Sequence, residues 1–374
     1  MTHAIVIGAG VVGASVAFRL AQTGTRVTIL EAAYVGAGTS GASFAWINAN
    51  NKPPRGYHDL NVAGMHAHAA LADEFGRAPW WHPSGNIEWY LDHAQRAAQR
   101  EKIERLRAWG YDVEWLTSAQ LRDLEPDIDP EAVAGAPVAL YPGEGWVDPV
   151  VFAHAMVDAA VRHGAVLRTG VNVDRLQRAG AKVTGVLCAG GERLDADVVV
   201  NCAGHWANHV VDPDMRIPES PTRGFLVFTA PAPTCLRAIL HAPQCHVRPD
   251  GGGRLMLHIE ETDRTTTGTT LPETLPAARD VIRHAAMVLP GIRGVEPEAV
   301  RVGTRPIPAD SYPAIGSVKG IGGYYLAVSH SAVTLAPFLG RAVAAEVAHD
   351  RSEPLLAPYR PDRFAAARGA ATTA

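Results

Sequence analysis

Residues 4–13 read AIVIGAGVVG, and this stretch decides the fold. The continuous apolar run at 4–7 is typical of a strand buried on both faces of a parallel sheet. It leads directly into a Gly-x-Gly-x-x-Gly pattern formed by Gly8, Gly10 and Gly13. The stretch therefore predicts a buried strand that enters a glycine-rich turn and then a helix.

The residues that follow complete a βαβ unit of the kind that binds dinucleotides. Residues 14–22 have the composition of a helix, and residues 26–30 form a second apolar run that ends at Glu31. In such a unit the glycines permit a tight turn and let the backbone approach a pyrophosphate at the helix N-terminus. Glu31 lies 21 residues after Gly10, where a carboxylate accepts hydrogen bonds from ribose hydroxyls and repels a 2′-phosphate. The unit predicts a dinucleotide other than NADP and leaves NAD and FAD open.

A second loop separates these two cofactors. Residues 36–43 read GAGTSGAS and follow the second strand closely. Small and hydroxyl-bearing residues of this kind offer backbone N–H groups and hydroxyls to a further part of a long dinucleotide. A domain that binds NAD would continue with another helix and strand. The loop therefore favours FAD.

Composition excludes several functional classes. The 374 residues are 47% hydrophobic and 19% charged, which is enough for a large core. The formal net charge of −4 gives no basic surface for a nucleic acid. No uncharged stretch resembles a lipid-facing helix, and the N-terminus lacks the basic region of a signal peptide. The four cysteines form no CxxC pair, so we expect a cytoplasmic protein with no disulfide and no metal site.

The order of elements along the chain predicts two interleaved domains. Buried apolar runs occur near both ends, whereas the middle alternates short strands with Gly/Pro turns, which is typical of an antiparallel sheet. The predicted fold class is α/β, a Rossmann-like parallel-sheet FAD-binding domain interrupted by a mainly antiparallel α+β substrate domain. The predicted boundaries are 1–75, 147–223 and 300–364 for the FAD-binding domain, 76–146 and 224–299 for the substrate-binding domain, and 365–374 for a flexible tail.

Several motifs, taken in order, resemble the D-amino-acid-oxidase-like family of FAD-dependent oxidoreductases, which includes glycine oxidase, sarcosine oxidase and D-amino-acid dehydrogenase. The resemblance covers most of the chain and implies non-covalent FAD. It also implies hydride transfer from an amine-bearing carbon to flavin N5, which gives an imine that water hydrolyses. Besides the two glycine-rich loops, the motifs are at 145–149 (GWVDP), 200–204 (VNCAG), 221–224 (PTRG), 303–306 (GTRP), 310–316 (DSYPAIG) and 333–340 (VTLAPFLG).

The motifs and the resemblance together assign the residues expected to bind FAD. These are Gly8, Gly10, Val11, Val12, Gly13, Glu31, Ala32, Thr39, Ser40, Ala42, Ser43, Val173, Cys202, Ala203, Gly204, Trp206, Gly303, Arg305, His330, Ser331, Val333 and Thr334.

Three residues are candidates for the chemistry. Arg305 lies where relatives place an arginine that grips the substrate carboxylate, with a surface salt bridge as the alternative. His246 lies where relatives present a polar aromatic side chain to the substrate. It either accepts a hydrogen bond, titrates near neutrality or is structural. His330 precedes a helix whose start faces the flavin in relatives, and it acts on the flavin, contacts the substrate or caps the helix. Asn48 and Lys52, in the loop after the second phosphate segment, are further residues expected to reach the flavin.

One departure from the family leaves the electron acceptor open. Sarcosine-oxidase-like relatives carry a lysine on the strand where this chain has Met256, and His258 replaces a glycine. The expected partners are a small-molecule amine or amino acid and either oxygen or a quinone, and an oligomer is compatible with the sequence. The alternatives are an oxidase of secondary or N-methyl amines, a quinone-linked amino-acid dehydrogenase and a non-catalytic FAD-binding subunit of a larger complex.

Overall fold

The computed structural model describes residues 1–365, so the predicted tail at 365–374 lies, apart from its first residue, outside the described residues. Within this range there are nine α-helices, none of them long and apolar enough to cross a bilayer. They are α1 (Val11–Gln22), α2 (Arg55–Phe75), α3 (His93–Ala108), α4 (Ser118–Leu124), α5 (Pro130–Val133), α6 (Pro149–Arg162), α7 (Glu260–Thr265), α8 (Leu271–Val288) and α9 (Ala332–His349).

The strands of the same residues form three sheets. In chain order they are β1 (His3–Ile7), β2 (Arg26–Glu31), β3 (Trp46–Ile47), β4 (Trp81–His82), β5 (Asn86–Glu88), β6 (Glu114–Leu116), β7 (Val138–Tyr141), β8 (Gly145–Val147), β9 (Val166–Thr169), β10 (Val173–Ala179), β11 (Lys182–Cys188), β12 (Arg193–Asp195), β13 (Val198–Asn201), β14 (Thr222–Thr229), β15 (Ile239–His241), β16 (His246–Pro249), β17 (Leu255–His258), β18 (Pro297–Arg305), β19 (Ala314–Val318) and β20 (Ile321–Val328).

The largest sheet has a parallel centre assembled from distant parts of the chain. Its main path runs β10-β11-β20-β13-β1-β2-β9, and β1 is parallel to both β2 and β13. Both faces of β1 are buried, as its apolar run predicts. Ala4 and Val6 pack into one core with α1, α6 and α9, whereas Ile5 and Ile7 pack into a second core on the opposite face.

The second sheet is almost entirely antiparallel. It has the order β18-β14-β17-β16-β15-β5-β7-β6, and only the β5–β15 pair is parallel. Helix α8 covers one face, where Val281, Ile282 and Ala285 meet strand residues such as Val227 and Leu257. The register pairs His241 with His246 and His246 with His258, which brings three histidines from neighbouring strands together.

A small sheet, β3-β8-β4, fixes the segment between the second glycine-rich loop and α2. Trp46 pairs with Trp146 in this sheet. The predicted fold class is therefore confirmed. The domain boundaries stay a prediction, and the structure adds that β14 and β18 run continuously through the proposed limits at 223 and 300.

Candidate active site

The first glycine-rich loop forms a tight cradle in which side chains have no space. Gly8 has a φ of +95°, and a Cβ there would lie 2.8 Å from the carbonyl oxygen of Cys202. A Cβ on Gly13 would overlap the carbonyl oxygen of Gly8. Gly10 precedes α1 without a side-chain cap, and the first turn of the helix has no acidic residue. This uncapped helix start suits the negative charge of a pyrophosphate.

Glu31 is held beside this cradle by the backbone. Its Oε2 accepts a hydrogen bond from the N–H of Ala9 at 2.8 Å, and its Oε1 accepts one from the N–H of Ala33 at 2.9 Å, across Ala32. The carbonyl of Glu31 accepts from the N–H of Val171, two residues before Val173. The carboxylate therefore has a fixed position, as a ribose-binding group requires.

The second loop closes over the first. The Oγ of Ser40 accepts a hydrogen bond from the N–H of Val11 at 3.1 Å, and Thr39 donates to the carbonyl of Thr304 at 2.6 Å. A Cβ on Gly303 would lie 2.9 Å from the Cβ of Ala42. The loop therefore links the start of α1 to the end of β18, which carries Arg305.

Three further predicted positions lie at the rim of this region. Ala203 and Gly204 follow β13, and Gly204 has a φ of +55°. Trp206 is 52% exposed, with one ring atom 3.2 Å from where a Cβ on Gly38 would be. Trp206 is therefore beside the second loop and mostly open to solvent.

A cavity of about 1110 Å³ lies between the two large sheets. One wall comes from the second loop and the start of α9, another from β15–β17, and α3 closes the far end. Its lining includes, among the predicted residues, Thr39, Ala42, Ser43, His246, Arg305, His330, Ser331, Val333 and Thr334. The structure thus brings all three chemical candidates into one space.

Polar groups in the walls fit FAD. Among the described residues, Asn48 Oδ1, Asn50 Oδ1 and Ser329 Oγ are buried without a hydrogen-bond partner, and both asparagines line the cavity. Buried polar atoms without partners are costly, so a bound group is expected to satisfy them. Helix α9 begins after Ser331, whose side chain does not cap it because its Oγ bonds to the hydroxyl of Tyr57 at 2.7 Å. These atoms and the cradle would hold the two ends of the cofactor.

The three paired histidines form an aromatic wall. The rings of His241 and His246 are 4.5 Å apart, those of His246 and His258 are 5.6 Å apart, and Phe44 contacts all three. Burial lowers the pKa of His246 to about 4 and the pKa of His241 well below its ordinary value. His246 is therefore uncharged at pH 7, which disfavours the alternative that it titrates near neutrality, and its role towards the substrate stays a prediction.

Arg305 is bound to protein groups within the cavity wall. Its Nη2 donates to Asp263 Oδ2 at 2.8 Å, and its Nη1 donates to the carbonyl of Arg223 at 2.5 Å. Burial alone would raise the pKa of Asp263, but the hydrogen bond from His258 and the charge of Arg305 hold it below its ordinary value. The role of Arg305 towards a carboxylate stays a prediction.

His330 opens onto the cavity next to Lys52. Desolvation of the ring in the cavity wall, together with the positive charges of Lys52 and Arg305, lowers the pKa of His330 to about 4. His330 is therefore uncharged at neutral pH, so it is a hydrogen-bonding group rather than a cation.

The buried acid Glu144, which was not among the residues predicted from the sequence, organises the wall behind the cavity. Its Oε2 accepts hydrogen bonds from Trp46 at 2.8 Å, Asn86 at 3.1 Å and Asn50 at 3.2 Å, and its Oε1 accepts one from Tyr111 at 2.6 Å. Burial raises its pKa to about 8. A charged residue between two glycines at 143–145 was the only hint in the sequence.

One cavity-lining cysteine has a structural role. Cys245 donates to the carbonyls of His246 and His258, and burial raises the pKa of its thiol to about 12. The thiol is thus unreactive, in agreement with non-covalent FAD. Across residues 1–365, no three His, Cys, Asp or Glu side chains are grouped to hold a metal ion.

Known proteins resemble this chain over nearly its whole length. Glycine oxidase of Geobacillus kaustophilus is 28% identical over 377 residues, covering 96% of this chain and 97% of the relative. The hydrogen cyanide synthase subunit HcnC of Pseudomonas aeruginosa is 24% identical over 97% of this chain and 96% of the relative.

Solved structures share the fold. The crystal structure of the same glycine oxidase superposes with a TM-score of 0.83 at 23% identity, over 97% of this chain and 99% of that one. Iminodiacetate oxidase from Chelativorans sp. BNC1 gives a TM-score of 0.81 at 21% identity, over 96% and 98%. The family model described as FAD dependent oxidoreductase (DAO) matches residues 3–346. The cradle, the fixed Glu31 and this match lead to one conclusion: the chain belongs to the DAO family of FAD-dependent oxidoreductases.

Proposed function

We propose that this FAD-dependent oxidoreductase oxidises the C–N bond of an amino acid or a related amine. The observation that carries the proposal is the shared cavity, in which the second cofactor loop and the start of α9 face the histidine wall of the antiparallel sheet. A small molecule in this space would lie between the cofactor side and the substrate side. The names of two relatives, glycine oxidase and iminodiacetate oxidase, support an amine that carries a carboxylate.

The chain's own residues would bind and orient the amine. FAD, when bound, supplies the hydride acceptor. The neutral imidazole of His246 has a nitrogen able to accept a hydrogen bond from an amine N–H, which holds the amine in one orientation. Neutral imidazoles also avoid electrostatic repulsion with the positive charge that develops on the carbon and nitrogen during oxidation.

A quinone-linked dehydrogenase is the second candidate because of Met256. This side chain is 3% exposed and packs with Leu226 and Phe228 against Phe44. The strand position where sarcosine-oxidase-like relatives carry a lysine is thus apolar here. The apolar contact supports transfer of electrons to an acceptor other than oxygen.

The visible spectrum of the purified protein tests both candidates. Under anaerobic conditions, mixtures of D-, L- and N-methylated amino acids are expected to bleach the flavin bands. Bleached enzyme is then mixed with air-saturated buffer or with a soluble quinone, and the rates of recovery are compared. A flavin that stays oxidised with every amine would overturn the proposed reaction and favour a non-catalytic FAD-binding subunit.

A further inference from the structure

Lys52 is a cation inside the cavity that has no anionic partner of its own. It lies on the segment that follows the second loop, and its charge acts on neighbouring His330. Within residues 1–365 its ammonium forms no hydrogen bond or ion pair. A largely desolvated ammonium is costly without a counter-ion, so its presence in the wall indicates an anionic ligand.

Two other cavity-lining cations are already neutralised. Lys102 Nζ lies 2.8 Å and 2.6 Å from the two carboxylate oxygens of Glu88. Arg305 Nη2 lies 2.8 Å from Asp263. In each pair the cation already has a carboxylate partner, so a ligand carboxylate would have to compete with that partner.

The remaining two cations of the lining are Arg223 and Arg264. Arg223 donates to the backbone carbonyls of residues 267 and 268 at 3.0 Å. Arg264 is exposed on α7 next to Glu260 and Glu261, where water screens its charge. Lys52 is therefore the cation of this lining that is partly shielded from solvent and forms neither a hydrogen bond nor an ion pair.

The acid whose charge acts on Lys52 is sealed away from it. Glu144 is fully buried and uses both oxygens for the four hydrogen bonds described above. It forms no hydrogen bond or ion pair with the ammonium, and its raised pKa leaves it mostly protonated at neutral pH, so it is a weak counter-charge. Burial lowers the pKa of Lys52 to about 8, the direction expected for an ammonium that lacks a bonded anion.

We propose that Lys52 binds the carboxylate of the substrate, which makes the substrate an amino acid or an N-substituted amino acid rather than a simple amine. The inference rests on the proposed function and names its substrate class. With the carboxylate at Lys52, the amine extends towards the neutral histidine wall, and the Asp263–Arg305 pair stays intact. Lys52 is thus a specificity-determining residue.

Binding titrations on the FAD-loaded protein test this inference without turnover. Acetate, propionate and benzoate, which carry a carboxylate and no amine, are titrated while the flavin absorption spectrum is followed. Lys52→Met is expected to raise their Kd about 10- to 100-fold, the loss of one charged hydrogen bond. Lys52→Arg is expected to restore most of the affinity because it keeps the charge. The exposed Lys182→Met, outside the cavity, is the matched control.

Further measurements distinguish the proposed role of Lys52 from carboxylate binding by Arg305 and from a role in holding the cofactor. Arg305→Met is expected to change the carboxylate Kd less than Lys52→Met does, and the reverse order would overturn the inference. FAD retention and the Kd of ethylamine are expected to stay within about twofold in Lys52→Met. Loss of FAD from Lys52→Met during purification, with an unchanged carboxylate Kd after reconstitution with excess FAD, would show that the ammonium serves the cofactor instead.

The inference and the proposed function fail in different ways. If no carboxylate binds to the unaltered protein while ethylamine or benzylamine bleaches the flavin, the role of Lys52 is wrong and the proposed oxidation stands. If carboxylates bind through Lys52 but no amine reduces the flavin, the anion site stands and the proposed oxidation is wrong.

Discussion

The carboxylate of Asp263 joins Arg305 to the histidine wall. Its Oδ2 lies 2.8 Å from Arg305 Nη2 and 3.1 Å from His258 Nε2, and its Oδ1 accepts the N–H of Phe225 at 2.7 Å. One side chain on α7 therefore fixes β14, β17 and β18 at the cavity.

Asp263→Asn is expected to destabilise the protein by about 1–3 kcal/mol because Arg305 and His258 lose a charged acceptor. Urea unfolding measures the change. The exposed Asp280→Asn breaks a surface pair with Arg283 and is expected to cost less than about 1 kcal/mol. Because the pKa of Asp263 is held below its ordinary value, its stabilisation is present above about pH 4 and is lost at lower pH. Equal costs for the two variants would contradict the joining role of Asp263.

Glu31→Gln is expected to weaken FAD binding about tenfold, since it removes a charge placed for ribose hydroxyls and sets an amide against a backbone N–H. The measurement is titration of the apoprotein with FAD, followed by flavin fluorescence. Glu104→Gln, on the exposed side of α3, is the matched control. An unchanged Kd in Glu31→Gln would remove this carboxylate from the FAD site.

Gly13→Ala is expected to yield protein without FAD, or no folded protein, because the new methyl group overlaps the carbonyl of Gly8. Overpacking of this kind costs about 1–3 kcal/mol or more. Gly56→Ala is the control, since its Cβ would have only the hydroxyl of Tyr359 near it, at 3.8 Å. The ratio of flavin to protein absorbance decides the matter, and a normal ratio in Gly13→Ala would contradict the tight cradle.

The free energy of unfolding is expected to rise with pH between about 4 and 6.5, and His68 and His246 are expected to contribute to this rise. Burial lowers the pKa of each to about 4, so the folded state binds fewer protons than the unfolded state in this window. Each imidazole contributes up to about 1.4 kcal/mol per pH unit. His68→Gln and His246→Gln should each reduce the slope measured by urea unfolding, and the exposed His93→Gln should not. Parallel slopes in all four proteins would show that neither ring is buried uncharged.

The FAD-binding motifs were predictable because the residues within each motif are contiguous in the chain. The cradle at 8–13 and the second loop at 36–43 are each a short continuous stretch, and the backbone bonds to Glu31 come from Ala33, two residues away, and from Ala9 in the cradle. Local spacing is sufficient for such features. The fold class followed from the same local patterns.

The substrate half was less predictable because it depends on strand register. The histidine wall exists since β15, β16 and β17 pair with His241, His246 and His258 side by side. The burial that makes His246 neutral, and the Asp263 that engages Arg305, also come from distant segments. A single sequence does not show which residues of neighbouring strands lie side by side. The histidine contacts and the Asp263–Arg305 pair therefore became visible only in the structure.

The assembly of the FAD half from separated segments has a consequence for biosynthesis. Helix α9 packs so closely on α1 that a Cβ on Gly340 would lie 2.7 Å from the carbonyl oxygen of Ser15, and β20 completes the sheet beside β13. During translation, the glycine-rich loop therefore emerges about 300 residues before the helix that supports it. A nascent chain that lacks α9 would expose the apolar face of α1, so we expect the FAD cradle to reach its final packing only after α9 has been synthesised.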